Sequence, residues 1–470
     1  MAVAGLASAI GWSFDLFDLF ILLFIASTLS KVLFPHTSPT LALASVYASF
    51  AVSLLLRPLG GAIFGRFADR RGRRRTLVLT VGGVGLATAL MGAVPSYAAA
   101  GAAGPALFVA LRLVQGVLVG GVVASSHTIG TETVPQRWRG LVSGLVGGAG
   151  ASIGAVLASL LLFGVSAAFP GPAFLHWGWR VMFFSALAAA ALALLAMFSL
   201  EESPLFAEAQ AAEAPAAQAQ AAEAQAEGTR PRAASRQLLG PGYRGVVLTS
   251  LLVVFGAGAQ YYLTSGYLPT FLGDINGVPT SVRSVMLVWA SLAILPATLM
   301  AGHLSERFGR RRTMITIGAV NIVALPLLVW ALAQQSRAGT GTIIALSVAL
   351  SFLANAAYAP VVIFLNERFP TAIRATGTAL TWNSGFALGG LMTTFVSLAS
   401  PSIPEIPSRL VMFIVGCTAV YVLGAWICPE TRGALEAAGA PVPAAGRAAA
   451  GKAAAGKAES PATSLTEGMP

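Results

Sequence analysis

Charged side chains are scarce in this sequence. Asp and Glu number 18, Lys and Arg 29, and together they make up 10% of 470 residues. Soluble domains carry about 25%, so a soluble globular enzyme is excluded: its surface could not be covered with polar groups. Cysteine is scarcer still. Cys417 and Cys428 both lie in or beside the last apolar run, which excludes a disulfide framework. The four histidines, His36, His127, His176 and His303, are scattered without metal-ligand spacing, and no phosphate-cradling loop is present. No metal, nucleotide or other cofactor is therefore expected. What fills the sequence is apolar: 56% hydrophobic residues and 51 glycines besides. That composition belongs to a polytopic, all-α membrane protein.

A bilayer-spanning helix needs about 20 mostly apolar residues. Twelve runs qualify, taken here as spans 1 to 12: 5–30, 41–64, 76–98, 104–127, 140–164, 178–200, 245–268, 281–302, 313–333, 341–365, 375–399 and 409–428. The first lacks a basic leader and carries Asp15 and Asp18 mid-span, so it reads as a span and not as a cleaved signal. Of the 29 basic residues, 22 follow even-numbered spans and 5 follow odd-numbered ones, while Arg57 and Arg112 lie inside spans. The positive-inside rule then places both termini in the cytoplasm. The net charge of +11 is thus a topology signal, and no nucleic-acid partner is expected.

Residues 201–244 are rich in Ala, Glu and Gln and too poor in aromatics to build a core, which marks a cytoplasmic linker. Residues 429–470 read as a disordered cytoplasmic tail. The spans divide accordingly into an N-terminal half, 1–200, and a C-terminal half, 245–428. An internal repeat supports the division. GRFADRRGRRR, from Gly65 to Arg75, returns as GHLSERFGRRR, from Gly302 to Arg312, 237 positions later. Glu132 and Pro135, followed by Arg139, return as Glu367 and Pro370, followed by Arg374, 235 positions later. Repeats of this kind mark secondary transporters.

The loop between spans 2 and 3, with Gly65, Asp69, Arg70, Gly72 and Arg73, resembles the signature of the major facilitator superfamily. Arg112, Gln115 and Gly116 in span 4 resemble that superfamily's second motif. RPLGGAIFGRFADRRGRRRTL from Arg57, HWGWR from His176 and ERFPTAIRATG from Glu367 are similar to the metabolite:H⁺ symporter family. That family carries dicarboxylates, shikimate-like acids, proline and betaine. The two aspartates of GWSFDLFDLF look more like the sialate and monocarboxylate symporters, and Val122 stands where metabolite symporters carry Glu. The resemblance implies twelve helices in two pseudo-symmetric six-helix halves, with spans 1, 4, 7 and 10 lining a cavity.

Asp15 and Asp18 are three apart and share one helix face. A charge mid-span costs at least about 2.5–3.5 kcal/mol, and desolvation with a like-charged neighbour raises a carboxylate's pKa. At least one is expected to exchange a proton; the bland reading is a fixed counter-ion. Arg112, near mid-bilayer, is either a bidentate clamp for a substrate anion, with Gln115 as a further substrate contact, a latch released on Asp protonation, or a purely structural ion pair or hydrogen bond to backbone carbonyls. Arg57-Pro58 allows a kinked helix with the guanidinium snorkelling to the interface, or substrate contact. The second half has no charge deep in a span. Tyr261 and Tyr262, with Gln260 beside them, Asn355 and Tyr358, and Trp382 and Asn383 are its candidate substrate contacts, or else interhelical hydrogen bonds. Gly65, Asp69, Arg70, Gly72, Arg73, Glu132 and Arg139, echoed by Glu306, Arg307, Glu367 and Arg374, are expected to form latches that break as the halves rock. The glycines of span 5, Gly144 to Gly154, allow close helix approach, and Gly150–Gly154 is not a nucleophile elbow because it lies within a span.

The sequence thus reads as a bacterial inner-membrane symporter, monomeric and not an enzyme, importing a small organic acid or zwitterion with protons. A uniporter or exporter of the same fold, or a transport-like sensor, stays open beside it.

Overall fold

The computed structural model describes residues 13, 16–35, 38–71, 73–123, 136–199, 238, 240, 242–335, 339–370 and 373–433. No strand occurs among them. Every one of the twelve apolar runs carries helix, and the chain through Arg432 forms one compact unit. Among the described residues eight helices are long and apolar enough to cross a membrane, and a bent pair, Leu16–Phe24 with Ala26–Leu33 at 60°, makes a ninth. Helices Arg73–Ala93, Trp179–Ser199 and Arg374–Ala399 occupy spans 3, 6 and 11.

Two features of the backbone position the site. Span 7 runs as regular helix over Arg244–Tyr261, then opens into wide five-residue turns at Tyr262–Gly266 and Phe271–Ile275. Pro269 sits between them, where its missing N–H and its ring prevent a regular helix. Wide turns of this type inside helices occur frequently at functional sites. Span 2 packs on span 4 and on span 11, and span 5 packs on span 8. The first contact needs glycine. A Cβ at Gly116 would overlap the carbonyl oxygen of Ser53, and one at Gly120 that of Arg57. Small residues of this kind let helix backbones touch in lipid, and here they set Arg57 and Arg112 on facing helices.

The remaining sequence motifs are packing devices. Ser152, inside the Gly150–Gly154 segment, donates from Oγ to the carbonyl of Ser291 at 2.8 Å, tying span 5 to span 8. In HWGWR, Arg180 stacks over the Trp179 ring at 4.4 Å and donates to the carbonyls of Gly92 and Val94, both at 2.7 Å. It thereby caps the last carbonyls of span 3, which no helical N–H reaches.

Candidate functional site

Asp18 is 8% exposed on the first half of the bent span 1. Thr88 of span 3 donates to its Oδ1 at 2.7 Å, and Nε2 of Gln115 on span 4 donates to its Oδ2 at 2.6 Å. The same Nε2 lies 2.6 Å from Thr88 Oγ1. Gln115 accepts in turn, through Oε1, from Nη1 of Arg112. Gln115 and Arg112 are 1% and 2% exposed. Arg112 therefore reaches Asp18 through an amide and not by direct ion pairing. Its Nε and Nη2 have no hydrogen-bond partner, and its guanidinium carbon sits 6.0 Å from the Phe50 ring centre. Asp15, the other candidate of span 1, lies outside the described residues.

Beside this network is a narrow, partly open cavity. Tyr261, Tyr262, Tyr358, Trp382, Asn383 and Arg57 all line it, so six of the sequence candidates from four spans meet at one place. Leu16 and Leu19 bracket Asp18 along its wall. The rings form a continuous cluster joined by Phe386: Trp382 stacks on it at 4.3 Å, and Tyr262 meets it at 6.0 Å and 80°. Tyr261 and Tyr262 meet at 5.0 Å and 74°. Such near-perpendicular contacts suit the ring quadrupoles. Among the described lining residues Arg57 is the single cation and none is an acid. Asn355 is not a lining residue; its amide donates to Ser265 Oγ at 3.0 Å and to the carbonyl of Ser351 at 2.7 Å. Gln260 likewise turns away, accepting from Asn321 at 2.8 Å. The null-charge pattern of the second half thus splits into cavity residues and helix ties.

At the end of the bundle where span 8 turns into span 9, Arg310 is fully buried. It holds Glu367 in a two-bond fork, Nε to Oε2 at 3.1 Å and Nη2 to Oε1 at 3.0 Å, and also bonds Glu306 at 2.8 Å. Thr431 donates to Glu367 at 2.8 Å. Glu430 accepts from the backbone N–H of Arg310 at 2.8 Å and of Arg311 at 3.2 Å, capping the start of span 9. Glu306 and Glu367 thus sit together, but Arg310 is their ionic partner. Arg307 lies over the Phe308 ring at 5.5 Å, and Arg374 donates to the Phe369 carbonyl at 3.2 Å. The sequence held a signal for Arg310: it lies four residues after Glu306, one helical turn on, and it is the repeat equivalent of Arg73. In the first half, Gly65, Asp69, Arg70 and Arg73 are on the facing ends of helices Pro39–Arg71 and Arg73–Ala93, and Arg139 is in the first turn of helix Gln136–Ala168. Their side chains, with Gly72 and Glu132, lie outside the described residues.

The opposite end closes differently. Tyr47 of span 2 stacks on Tyr267 of span 7 at 5.1 Å, and its hydroxyl shares a hydrogen bond with Thr270 at 2.8 Å. Tyr267 bonds Ser397 of span 11 at 2.9 Å, and Ser27 of span 1 donates to Asp274 at 2.7 Å. Sequence reading missed this cluster, as it missed Thr88. Isolated hydroxyls in apolar runs carry no pattern that sets them apart.

The model of the family described as sugar (and other) transporter matches residues 7–435. The shikimate transporter of Escherichia coli is 31% identical over 404 residues, covering 84% of this chain and 87% of the relative. The proline/betaine transporter of Salmonella typhimurium is 28% identical over 393 residues, covering 83% and 76%. A crystal structure of a D-xylose-proton symporter superposes with a TM-score of 0.69 at 19% identity, over 92% of this chain and 98% of that one. With its helices, its internal repeat and these matches, the chain belongs to the sugar (and other) transporter family of the major facilitator superfamily, among the metabolite symporters.

Proposed function

We propose that the protein is a proton-coupled symporter that takes up a small carboxylate-bearing metabolite, an acid or a zwitterion, by alternating access. The observation that carries this reading is a buried carboxylate, Asp18, linked through Gln115 to a buried cation, Arg112, beside a cavity holding a second cation, Arg57. A charge is expensive at this depth, and the arrangement makes sense where charge must be gained and lost. Asp18 takes up the proton. Arg57, with Arg112 behind it, attracts the substrate carboxylate. Tyr261, Tyr262, Tyr358, Trp382 and Asn383 surround the rest of the molecule. The relatives favour a carboxylate as the shared feature, since shikimate, proline and betaine each bear one.

In this reading spans 1–6 and 7–12 rock about the cavity, in the inner membrane of a bacterium, with both termini cytoplasmic and the protein monomeric. Asp69, Arg70, Arg73, Glu132 and Arg139 form a latch in the first half equivalent to Glu306, Arg310 and Glu367 in the second. Reconstitution in liposomes tests the function. With an imposed pH gradient, labelled shikimate, proline and glycine betaine are offered in turn, with xylose as the uncharged comparison. At least one carboxylate should accumulate and its addition should alkalinise the medium on the proton-rich side. Accumulation of xylose alone, or carboxylate flux without proton movement, contradicts the proposal.

A further inference from the structure

We infer that Gln115 is a positioning residue that transmits the protonation state of Asp18 to Arg112 by turning over its side-chain amide. This rests on the proposed protonation of Asp18.

A glutamine amide offers two N–H donors on nitrogen and an acceptor on oxygen, and an ionised carboxylate only accepts. In the structure both donors of Gln115 are directed at Asp18 and Thr88, and its oxygen is taken by Arg112. That orientation fits an ionised Asp18. A proton arriving on Oδ2 places an O–H against an N–H₂ group, donor against donor. Rotation of the amide by a half-turn restores a bond, with Oε1 accepting from the carboxyl. The same rotation turns Nε2 toward Arg112 Nη1, again donor against donor, so the guanidinium loses its side-chain acceptor. Arg112 already has Nε and Nη2 without partners while 2% exposed. Losing the third nitrogen's acceptor leaves a buried cation that a substrate carboxylate can satisfy, two bonds at a time. Loss of the proton reverses each step and Gln115 reclaims Arg112. Proton binding therefore precedes and favours substrate binding, with no bond made or broken except at the proton.

Among the described residues, Arg112 on span 4 is the charged group facing Asp18, and Arg57 on span 2 faces Arg112 in turn; span 3 offers Thr88, and span 7 packs on span 1 through the neutral Tyr261 against Phe20, while Asp15, on Asp18's own span, lies outside the described residues. Thr88 provides the competing route. A proton on Oδ1 could be met by rotation of the Thr88 hydroxyl alone, leaving Gln115 unmoved.

Infrared difference spectroscopy between acid and alkaline pH, on the purified full-length protein, separates these routes. The carboxyl band of Asp18 is assigned by its loss in Asp18→Asn. The guanidinium band of Arg112 is assigned by ¹⁵N-arginine labelling and its loss in Arg112→Lys. Both bands should appear in the wild type with one midpoint. Gln115→Met should keep the carboxyl band and lose the guanidinium response, and Gln115→Asn, too short to bridge, should do the same. Thr88→Val should retain both bands. A guanidinium response that persists at full amplitude in either Gln115 variant, or vanishes in Thr88→Val alone, overturns the inference while leaving Asp18 as the proton carrier. A carboxyl band that survives Asp18→Asn removes the proton reading itself.

Discussion

The two sides of the central cavity are built from opposite chemistries. Spans 1 to 4 bring Asp18, Arg112 and Arg57, whereas spans 7, 10 and 11 bring rings, hydroxyls and Asn383. Each buried charge is costly in a bilayer; the first side satisfies Asp18 through Thr88 and Gln115 and leaves two nitrogens of Arg112 without partners. Among the described residues the second side's lining holds no charge. On the proposed reading the first side carries the proton and the substrate's charge while the second surrounds the rest of the molecule, and substitutions should separate the two.

Arg112→Gln should have the largest effect, lowering initial uptake by about 100-fold or more, because truncating one member of a buried charged network costs several kcal/mol. A merely structural Arg112 would show instead as lost protein with normal specific activity. Trp382→Leu, on the neutral side, should raise KM about 10-fold, given the stacking with Phe386 and roughly 1.4 kcal/mol per decade. Its dependence on the imposed pH gradient should match the wild type; a changed dependence would erase the division between the two sides. Glu367→Gln breaks the buried fork with Arg310, far from both sides, and should lower the thermal midpoint by about 5 °C with KM unchanged. An altered KM there would mean that the latch and the cavity are one unit. Tyr47→Phe should be mildest, removing a hydrogen bond worth about 1 kcal/mol and changing turnover about 5-fold. No change in turnover would remove Tyr47 from the closing contacts.

The fold was legible because lipid allows few solutions. Uninterrupted apolar runs must satisfy their backbone as helix, and the helices fall on the twelve runs. Intramembrane charges were legible for the same reason, since Asp18, Arg112 and Arg57 stand out against oil. The aromatic and amide candidates were half legible. Tyr261, Tyr262, Tyr358, Trp382 and Asn383 reach the cavity, whereas Asn355 spends its amide on Ser265 and Ser351. Helical phase alone does not separate Asn355 from Tyr358 on the same helix; what claims Asn355 is Ser265, which lies in a wide turn of span 7. Thr88, and the Tyr47 and Tyr267 hydroxyls, were illegible. Their partners lie 70, 223 and 130 positions away, and nothing local marks them. Arg310 was legible by helical spacing from Glu306, yet Arg307 is the nearer arginine in the motif.

The central claim is that a proton is bound at Asp18 during each cycle. Asp18→Asn, which keeps the shape and removes the titration, tests it in liposomes loaded with substrate. The account expects exchange of labelled for unlabelled substrate to continue, while accumulation against a concentration gradient under an imposed pH gradient falls to background. Undiminished accumulation by the variant would contradict it.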